Sequence, residues 1–209
     1  MTAHANNANT ANTLQCWFDF ASTYSYLTVQ RIEPLAAAAG ITVDWRPFLL
    51  GPAFTAMGWN DSPFNIYPTK GRYMWRDMER LCIKYDLPLR RPSQFPRNGL
   101  LPARVALAFH GSSWEGEFIR RVFSASFADD RDIGQREVIA EILGSMALDA
   151  PAILEAADAQ ENKDALRRQT QAAVDLGIFG APTLIANGEL FWGNDRLEDA
   201  LAWFSAPAG

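Results

Sequence analysis

Ser22 is the residue whose position in this chain most clearly permits chemistry. It follows a stretch in which apolar and polar residues alternate and precedes a stretch with helical spacing, which predicts a strand-to-helix junction. A second segment, residues 177–183, reads as a helix end followed by a turn in which Pro182 is a candidate cis-proline. A hydroxyl at a helix start can attack a substrate as a nucleophile or cap the helix. These two segments together define the candidate site.

The nucleophile alternative needs a general base within hydrogen-bond reach of Ser22. The chain has two histidines: His4 lies in the N-terminal stretch, and His110 stands alone. No Gly-x-Ser-x-Gly motif surrounds Ser22. The sequence therefore argues against a hydrolase with a histidine-based triad and predicts no metal site, while a plain helix cap at Ser22 stays open.

Ser22 lies within a predicted βαβ unit. Residues 14–20 and 41–46 alternate with the period of a strand, and between them residues 29–39 keep a helical apolar stripe that Gly40 closes. Two strands joined by one helix in so short a span are expected to be parallel, with a right-handed crossover.

The middle of the chain is predicted to be helical. Residues 51–71 have no regular period, which predicts a long loop, and long loops in compact domains tend to be functional. Apolar stripes then predict several helices, with Asp149 as the cap of a short one. Residues 183–186 and 189–192 flank Asn187-Gly188, the strongest signal for a two-residue hairpin. We expect Asn194 or Asp195 to cap a final helix.

Composition limits the possible partners. The 209 residues are 48% hydrophobic with a net charge of −5 and no basic block, so a nucleic-acid partner is not expected. No apolar run approaches the roughly 20 residues that cross a membrane. Residues 1–13 lack the features of a signal peptide and read as a disordered tail, so we expect a cytoplasmic protein. Cys16 and Cys82 form no CxxC motif and are expected to be buried apolar residues in a reducing compartment.

Four segments carry a family resemblance. Residues 18–27, Phe-Asp-Phe-Ala-Ser-Thr-Tyr-Ser-Tyr-Leu, resemble the Phe-Asp-Phe-x-Ser-Pro-Tyr-Ser-Tyr-Leu motif of 2-hydroxychromene-2-carboxylate isomerases and kappa-class glutathione transferases. Residues 58–65, 70–77 and 191–197 are also similar to that family. The resemblance covers nearly everything after the tail, and it departs from the family at Thr23, where the family usually has proline.

The resemblance implies an α/β protein with a thioredoxin-like fold, βαβ then ββα, interrupted by an all-helical insertion as in DsbA-type oxidoreductases. Residues 14–50 and 177–209 would form the thioredoxin-like domain. Residues 51–176 would form the loop and the helical insertion domain.

The resemblance also implies a glutathione site. Ser22 would donate a hydrogen bond to the sulfur of glutathione, and the backbone of Ala181 before Pro182 would pair with its cysteinyl part. Asn194 and Asp195 would hold the γ-glutamyl end, although both can equally be ordinary caps. Further candidates are Lys70 for a carboxylate and Trp59 and Asn60 for the pocket, although Lys70 can equally lie on a solvated helix face.

The expected function is that of a glutathione-dependent isomerase acting on a small electrophilic aromatic-degradation intermediate, as a homodimer like its relatives. A kappa-like glutathione transferase is the alternative enzyme. A disulfide oxidoreductase is a poorer match because serines occupy positions 22 and 25. A non-catalytic binding module is the remaining alternative.

Overall fold

A four-stranded mixed sheet forms the centre of the thioredoxin-like half. The computed structural model describes residues 12–56 and 58–205. The strand order is β2-β1-β3-β4, in which β1 is parallel to β2 and antiparallel to β3, and β3 is antiparallel to β4. The strands are β1 (Thr13–Phe18), β2 (Thr42–Pro47), β3 (Thr183–Ala186) and β4 (Glu189–Trp192).

The predicted βαβ unit is confirmed. Helix α1 (Thr23–Ala38) connects β1 to β2, and the two strands pair in parallel from Thr13–Thr42 to Phe18–Pro47. Gly40 adopts φ 69° just after the C-cap, a left-handed conformation that glycine reaches without steric cost. The predicted tail lies outside the described residues apart from Asn12 and Thr13, and Thr13 already belongs to β1.

Helices fill the segment between β2 and β3. No helix in the described ranges is long and apolar enough to cross a membrane. The helices of this segment are α2 (Leu50–Ala56), α3 (Pro63–Ile66), α4 (Pro68–Tyr85), α5 (Leu100–Ala108), α6 (Glu115–Phe127), α7 (Arg136–Ser145), α8 (Ala150–Asp158) and α9 (Gln160–Asp175).

The prediction of an irregular loop over residues 51–71 is wrong. This stretch contains α2, α3 and the first turn of α4. Two prolines, Pro63 and Pro68, stand in the first turns of α3 and α4, where the missing amide costs nothing, and the Ser62 hydroxyl caps α3 by accepting the amide of Phe64 at 3.3 Å. Helices of one or two turns are too short to show an apolar period, so the sequence pattern concealed them.

The C-terminal hairpin is confirmed, but the predicted cap of the last helix is wrong. Asn187 (φ 49°) and Gly188 (φ 85°) both have positive φ, as a two-residue primed turn requires. The last helix, α10 (Leu197–Ala202), follows a 3₁₀ turn at Asn194–Arg196, and the N-cap of that turn is Gly193. Gly193 has φ 114°, a conformation that other residues rarely adopt, so asparagine or aspartate is poorly suited to this position.

An aromatic core joins the helical segment to the start of α1. Phe18 and Phe20 from the β1–α1 region contact Phe123 of α6, with ring centroids 6.0 and 5.0 Å apart. Tyr26 of α1 stacks on Phe127 of α6 at 5.4 Å. Such pairs are each worth about 0.5–1.5 kcal/mol beyond their buried area. Because these rings flank residue 22, the helical segment helps to fix its position.

Candidate active site around Ser22

Ser22 joins the two segments that the sequence singled out. It is the N-cap of α1, and its Oγ accepts the amide of Ser25 at 3.1 Å. The same hydroxyl donates to the carbonyl oxygen of Ala181 at 2.8 Å. No acidic residue stands in the first turn of α1, so the positive end of the helix dipole is not neutralised there. The site therefore offers a hydroxyl and a helix N-terminus at one point.

Asp19 holds the turn that carries Ser22. One of its carboxylate oxygens accepts the amide of Ala21 and the other accepts the amide of Leu50, both at 2.7 Å. Its backbone carbonyl accepts the amide of Ser22 at 2.9 Å. Burial raises the pKa of this carboxyl group, and the two backbone hydrogen bonds oppose that rise. Asp19 thus connects the Ser22 turn to the start of α2. This role of Asp19 was not predicted from the sequence.

The loop before β3 presents Ala181 to Ser22. The Ala181–Pro182 peptide bond is cis, as the sequence indicated. The carbonyl of Pro182 accepts the amide of Gly193 at 2.9 Å, and Thr183 Oγ1 donates to the carbonyl of Gly180 at 2.8 Å. These bonds tie the loop to the end of β4, so the Ala181 backbone is held in place from both sides.

A second wall of the site rises from α1 and α4. The hydroxyl of Tyr24 donates to Asp77 Oδ2 at 2.9 Å, and its ring lies 6.4 Å from that of Phe64. Burial raises the pKa of Tyr24 most, and the bond to Asp77 and the more distant charge of Asp195 raise it further. The ammonium group of Lys70 lies 5.8 Å from the Phe64 ring, exposed and without an ion-pair partner in the described part of the chain. Lys70 is therefore joined to the Ser22 helix through Phe64 and Tyr24.

Asn194 and Asp195 differ sharply in exposure. Asn194 is buried, and its side-chain oxygen accepts hydrogen bonds from Thr28 Oγ1 at 3.3 Å and Arg31 Nη1 at 3.2 Å. The Asp195 side chain is 74% exposed and lies 3.3 Å from Arg196 Nη2. Asp195 can thus meet a ligand from solvent, whereas the Asn194 side chain fixes the last helix to α1.

Trp59 and Asn60 lie in the turn between α2 and α3. The Trp59 ring is 5.7 Å from that of Phe54, and its amide donates to the Phe54 carbonyl at 2.9 Å. Asn60 is exposed. Among the described residues no hydrogen bond or ring contact links either residue to Ser22, and their place in the site stays a prediction.

Two buried hydroxyls lie beside Ser22 without a partner. Thr23 is 1% exposed and Ser25 is fully buried, and neither side-chain oxygen has a hydrogen-bond partner among the described residues. The helix begins at Thr23, so replacing the family's proline leaves the helix start intact.

A cleft of about 380 Å³ lies between the sheet and α9, apart from the predicted site residues. Its polar lining groups already have partners. Gln15 accepts the indole N–H of Trp17 at 2.9 Å, Arg46 pairs with Asp44 at 2.6 Å, and Gln169 donates to a backbone carbonyl of β2 at 2.6 Å. Gln15, Arg46 and Gln169 thus each have a partner within the protein, and because the cleft lies apart from Ser22 and Ala181 we place the chemistry at Ser22.

Both cysteines are free and buried, as the sequence predicted. Burial raises the pKa of Cys82 to about 11, and burial with the nearby charge of Asp44 raises the pKa of Cys16 still more. Neither thiol is an accessible nucleophile.

His110 is not alone. Its Nδ1 lies 3.1 Å from Glu115 Oε1 and its Nε2 lies 3.3 Å from Asp44 Oδ1. Hydrogen bonds to Asp44 and Glu115 raise its pKa to about 9, so the ring is a cation that links β2 to the start of α6. Asp44 is far from His110 in sequence, so that contact was missed, whereas Glu115 is only five residues away and was overlooked.

Comparison with known proteins identifies the family of this chain. The DSBA-like thioredoxin domain model matches residues 13–202. A 2-hydroxychromene-2-carboxylate isomerase of Sphingobium xenophagum is 32% identical over 89% of this chain and 94% of its own length. Human glutathione S-transferase kappa 1 is 26% identical over 89% of this chain and 88% of its own.

Solved structures share the fold. A 2-hydroxychromene-2-carboxylate isomerase superposes with a TM-score of 0.84 at 24% identity, covering 92% of this chain and 94% of that one. The cytosolic disulfide reductase DsbM from Pseudomonas aeruginosa, crystallised with GSH, gives 0.62 at 17% identity, covering 92% and 97%. The chain therefore belongs to the DSBA-like thioredoxin family, and within it to the group of the 2-hydroxychromene-2-carboxylate isomerases and kappa-class glutathione transferases.

Proposed function

We propose that this protein is a glutathione-dependent isomerase of the 2-hydroxychromene-2-carboxylate isomerase type. The observation that carries the proposal is the contact between the Ser22 hydroxyl and the Ala181 carbonyl at the start of α1. It brings together a donor suited to a thiolate and a backbone suited to a peptide. Relatives named as this isomerase at 27–32% identity support the same reaction class.

The residues present fit glutathione. The Ala181 carbonyl accepts the Ser22 hydroxyl, a bond that a ligand peptide N–H can replace, as in strand addition. Exposed Asp195 suits the amino group of a γ-glutamyl end, and Lys70, which has no ion-pair partner in the described residues, suits a carboxylate. We therefore assign Ser22, Ala181, Asp195 and Lys70 to the cofactor, together with the Asn194 backbone at the 3₁₀ turn. Trp59 and Asn60 stay predictions.

Ser22 and its helix would supply the activation. A free thiol ionises near pH ~8.5, and each unit of pKa corresponds to about 1.4 kcal/mol. A helix N-terminus contributes about 0.3–1 kcal/mol to a nearby anion, and a hydrogen bond to a charged acceptor about 1.5–3 kcal/mol. Together these contributions amount to about 2–4 kcal/mol, which would lower a thiol pKa by about two units.

Bound glutathione would supply a thiolate that adds reversibly to a conjugated double bond, which becomes free to rotate before the thiolate departs. The protein's part is to turn the Ser22 hydroxyl from Ala181 toward the sulfur and to orient both reactants. A kappa-like transferase, which keeps the sulfur bonded to its substrate, is the second candidate and has the same site requirements. A disulfide oxidoreductase is disfavoured because Cys16 and Cys82 are buried.

Calorimetry with glutathione tests the proposal. We expect saturable binding at millimolar concentration, weakened about ten- to a hundredfold in Ser22→Ala because a charge-assisted hydrogen bond is lost. Asp195→Ala should also weaken binding. Asp199→Ala is its matched control, since Asp199 also pairs with Arg196 and has a similarly exposed side chain. Absence of binding to the unmodified protein would refute the proposal.

Turnover separates the two enzymes. An isomerase converts an aromatic-degradation intermediate without consuming glutathione, whereas a transferase consumes it in proportion to product. We further propose a cytoplasmic homodimer, because a thiol cofactor needs a reducing compartment and the family resemblance of the sequence implies a dimer. Light scattering on the purified protein tests the dimer.

A further inference from the structure

Two aromatic rings beside the Ser22 site are half in solvent. Phe179 is 45% exposed and Trp192 is 52% exposed, and their ring centroids lie 4.8 Å apart in an edge-to-face arrangement. The other apolar side chains of β4, Leu190 and Phe191, are partly covered and pack against core clusters. Large apolar side chains grouped at a surface commonly mark a binding site. The exposed Phe179–Trp192 pair is therefore a candidate binding surface.

The pair lies against the loop that presents Ala181. A methyl group on Gly180 would lie 2.3 Å from the indole nitrogen of Trp192, so glycine at this position lets the indole rest directly on the backbone next to Ala181. The residue after Trp192, Gly193, donates its amide to Pro182 at 2.9 Å. The Trp192 indole therefore lies next to the backbone of Gly180, and the residue after Trp192 is bonded to Pro182. Gly180 and Pro182 flank Ala181, whose carbonyl contacts Ser22.

The pair differs in chemistry from the other wall of the site. The Tyr24 and Phe64 side carries Asp77, Lys70 and the nearby charge of Asp195, which suit the charged ends of a peptide cofactor. The Phe179–Trp192 pair offers only ring surface and one indole N–H, which suit a flat apolar group. The two walls therefore suit different reactants.

We infer that Phe179 and Trp192 form the contact surface for the aromatic ring of the electrophile and set the preference for planar, conjugated substrates. The inference rests on the proposed function, because the ring must reach the cofactor sulfur near Ser22. A planar group packed edge-to-face or offset against Trp192 gains affinity that an alkyl group does not.

S-substituted glutathiones test the inference by binding alone. S-benzylglutathione and S-methylglutathione differ only in the group on the sulfur, so the ratio of their dissociation constants measures the ring contact. Calorimetry on the unmodified protein should give tighter binding of the benzyl compound. Trp192→Leu should lower that preference about three- to tenfold and leave S-methylglutathione affinity unchanged.

Two further variants sharpen the test. Gly180→Ala keeps every aromatic residue but forces the Trp192 indole to move. It should therefore lower the preference for S-benzylglutathione, as Trp192→Leu does. Trp203→Leu is the matched control, because Trp203 is 43% exposed and also contacts a phenylalanine, Phe191, yet lies on the opposite face of β4. The preference of Trp203→Leu for S-benzylglutathione over S-methylglutathione should equal that of the unmodified protein.

The outcomes separate the inference from the proposed function. An unchanged preference in Trp192→Leu, or an equal loss of both ligands, overturns the aromatic surface and leaves the glutathione site standing. If neither compound binds the unmodified protein, the proposed function fails and the inference fails with it.

Discussion

Replacing Ser22 with alanine should destabilise the protein by about 2 kcal/mol. The substitution removes the hydroxyl that accepts the Ser25 amide and donates to the Ala181 carbonyl. Loss of an N-cap costs about 1 kcal/mol, and loss of a hydrogen bond near the protein interior about another 1 kcal/mol. Ser22 is 9% exposed, so water replaces the lost partners poorly.

Urea unfolding at neutral pH, followed by circular dichroism, measures the change. Asp149→Ala is the matched control because Asp149 caps α8 through Ala152 at 3.1 Å and makes no second bond to a distant segment that the structure records. It should cost about 1 kcal/mol. Ser22→Gly separates the stability lost with the N-cap from the stability lost with the bond to Ala181. Because glycine is a tolerated N-cap, the loss of stability in this variant reports mainly the bond to Ala181.

A loss in Ser22→Ala no larger than in Asp149→Ala would refute this reasoning. The Ser22–Ala181 bond would then contribute nothing to the fold. The two ends of the thioredoxin-like half would then be joined by the sheet and by the contacts of Asn194 with Thr28 and Arg31.

Other predictions concern residues outside the site. The pKa of His110 rises from 6.5 to about 9 on folding, so its contribution is complete below pH 6.5 and is lost as the pH rises through about 9. Because the ring is 39% exposed, that contribution is about 1 kcal/mol, and urea midpoints of the unmodified protein and His110→Gln should converge above that pH. Arg97→Ala should destabilise by about 1–3 kcal/mol, measured in the same assay, because buried Arg97 donates to the backbone carbonyls of Ser126 and Asp130 and pairs with the partly exposed Asp130 carboxylate. Gly71→Ala should lower the free energy of unfolding by about 1–3 kcal/mol in the same assay, since the added methyl would lie 2.2 Å from the backbone carbonyl oxygen of Phe64. Cys16 and Cys82 should resist a thiol reagent in the folded protein and react fully in denaturant.

Structural features that depend on residues close together in the sequence were predictable. The hairpin follows from Asn187-Gly188, because only a few residues accept positive φ at both positions. The junction at Ser22 follows from a change of period from two to 3.6 residues. The pairing of Ser22 with Ala181 followed from resemblance rather than from spacing, since the residues are 159 apart.

Long-range polar contacts were not predictable. Nothing near Tyr24 indicates its bond to Asp77, and nothing near His110 indicates Asp44. Asn194 was expected at a helix cap because asparagine favours such positions, but Arg31 and Thr28 draw its side chain inward. Tertiary contacts of this kind depend on how elements pack, which a local pattern does not record.

The central place of β1 in the sheet determines when the Ser22–Ala181 contact can form during synthesis. The partner on one side, β2, follows soon after β1, but the partner on the other side, β3, is made only after the whole helical segment. The nascent chain therefore carries an open strand edge throughout translation of the helical segment, and such edges invite pairing with other chains. Packing of Phe18 and Phe20 on α6 can cover one face of β1 in the meantime. The carbonyl acceptor for Ser22 is made only after the helical segment, so a product truncated before β3 would lack the Ser22–Ala181 contact.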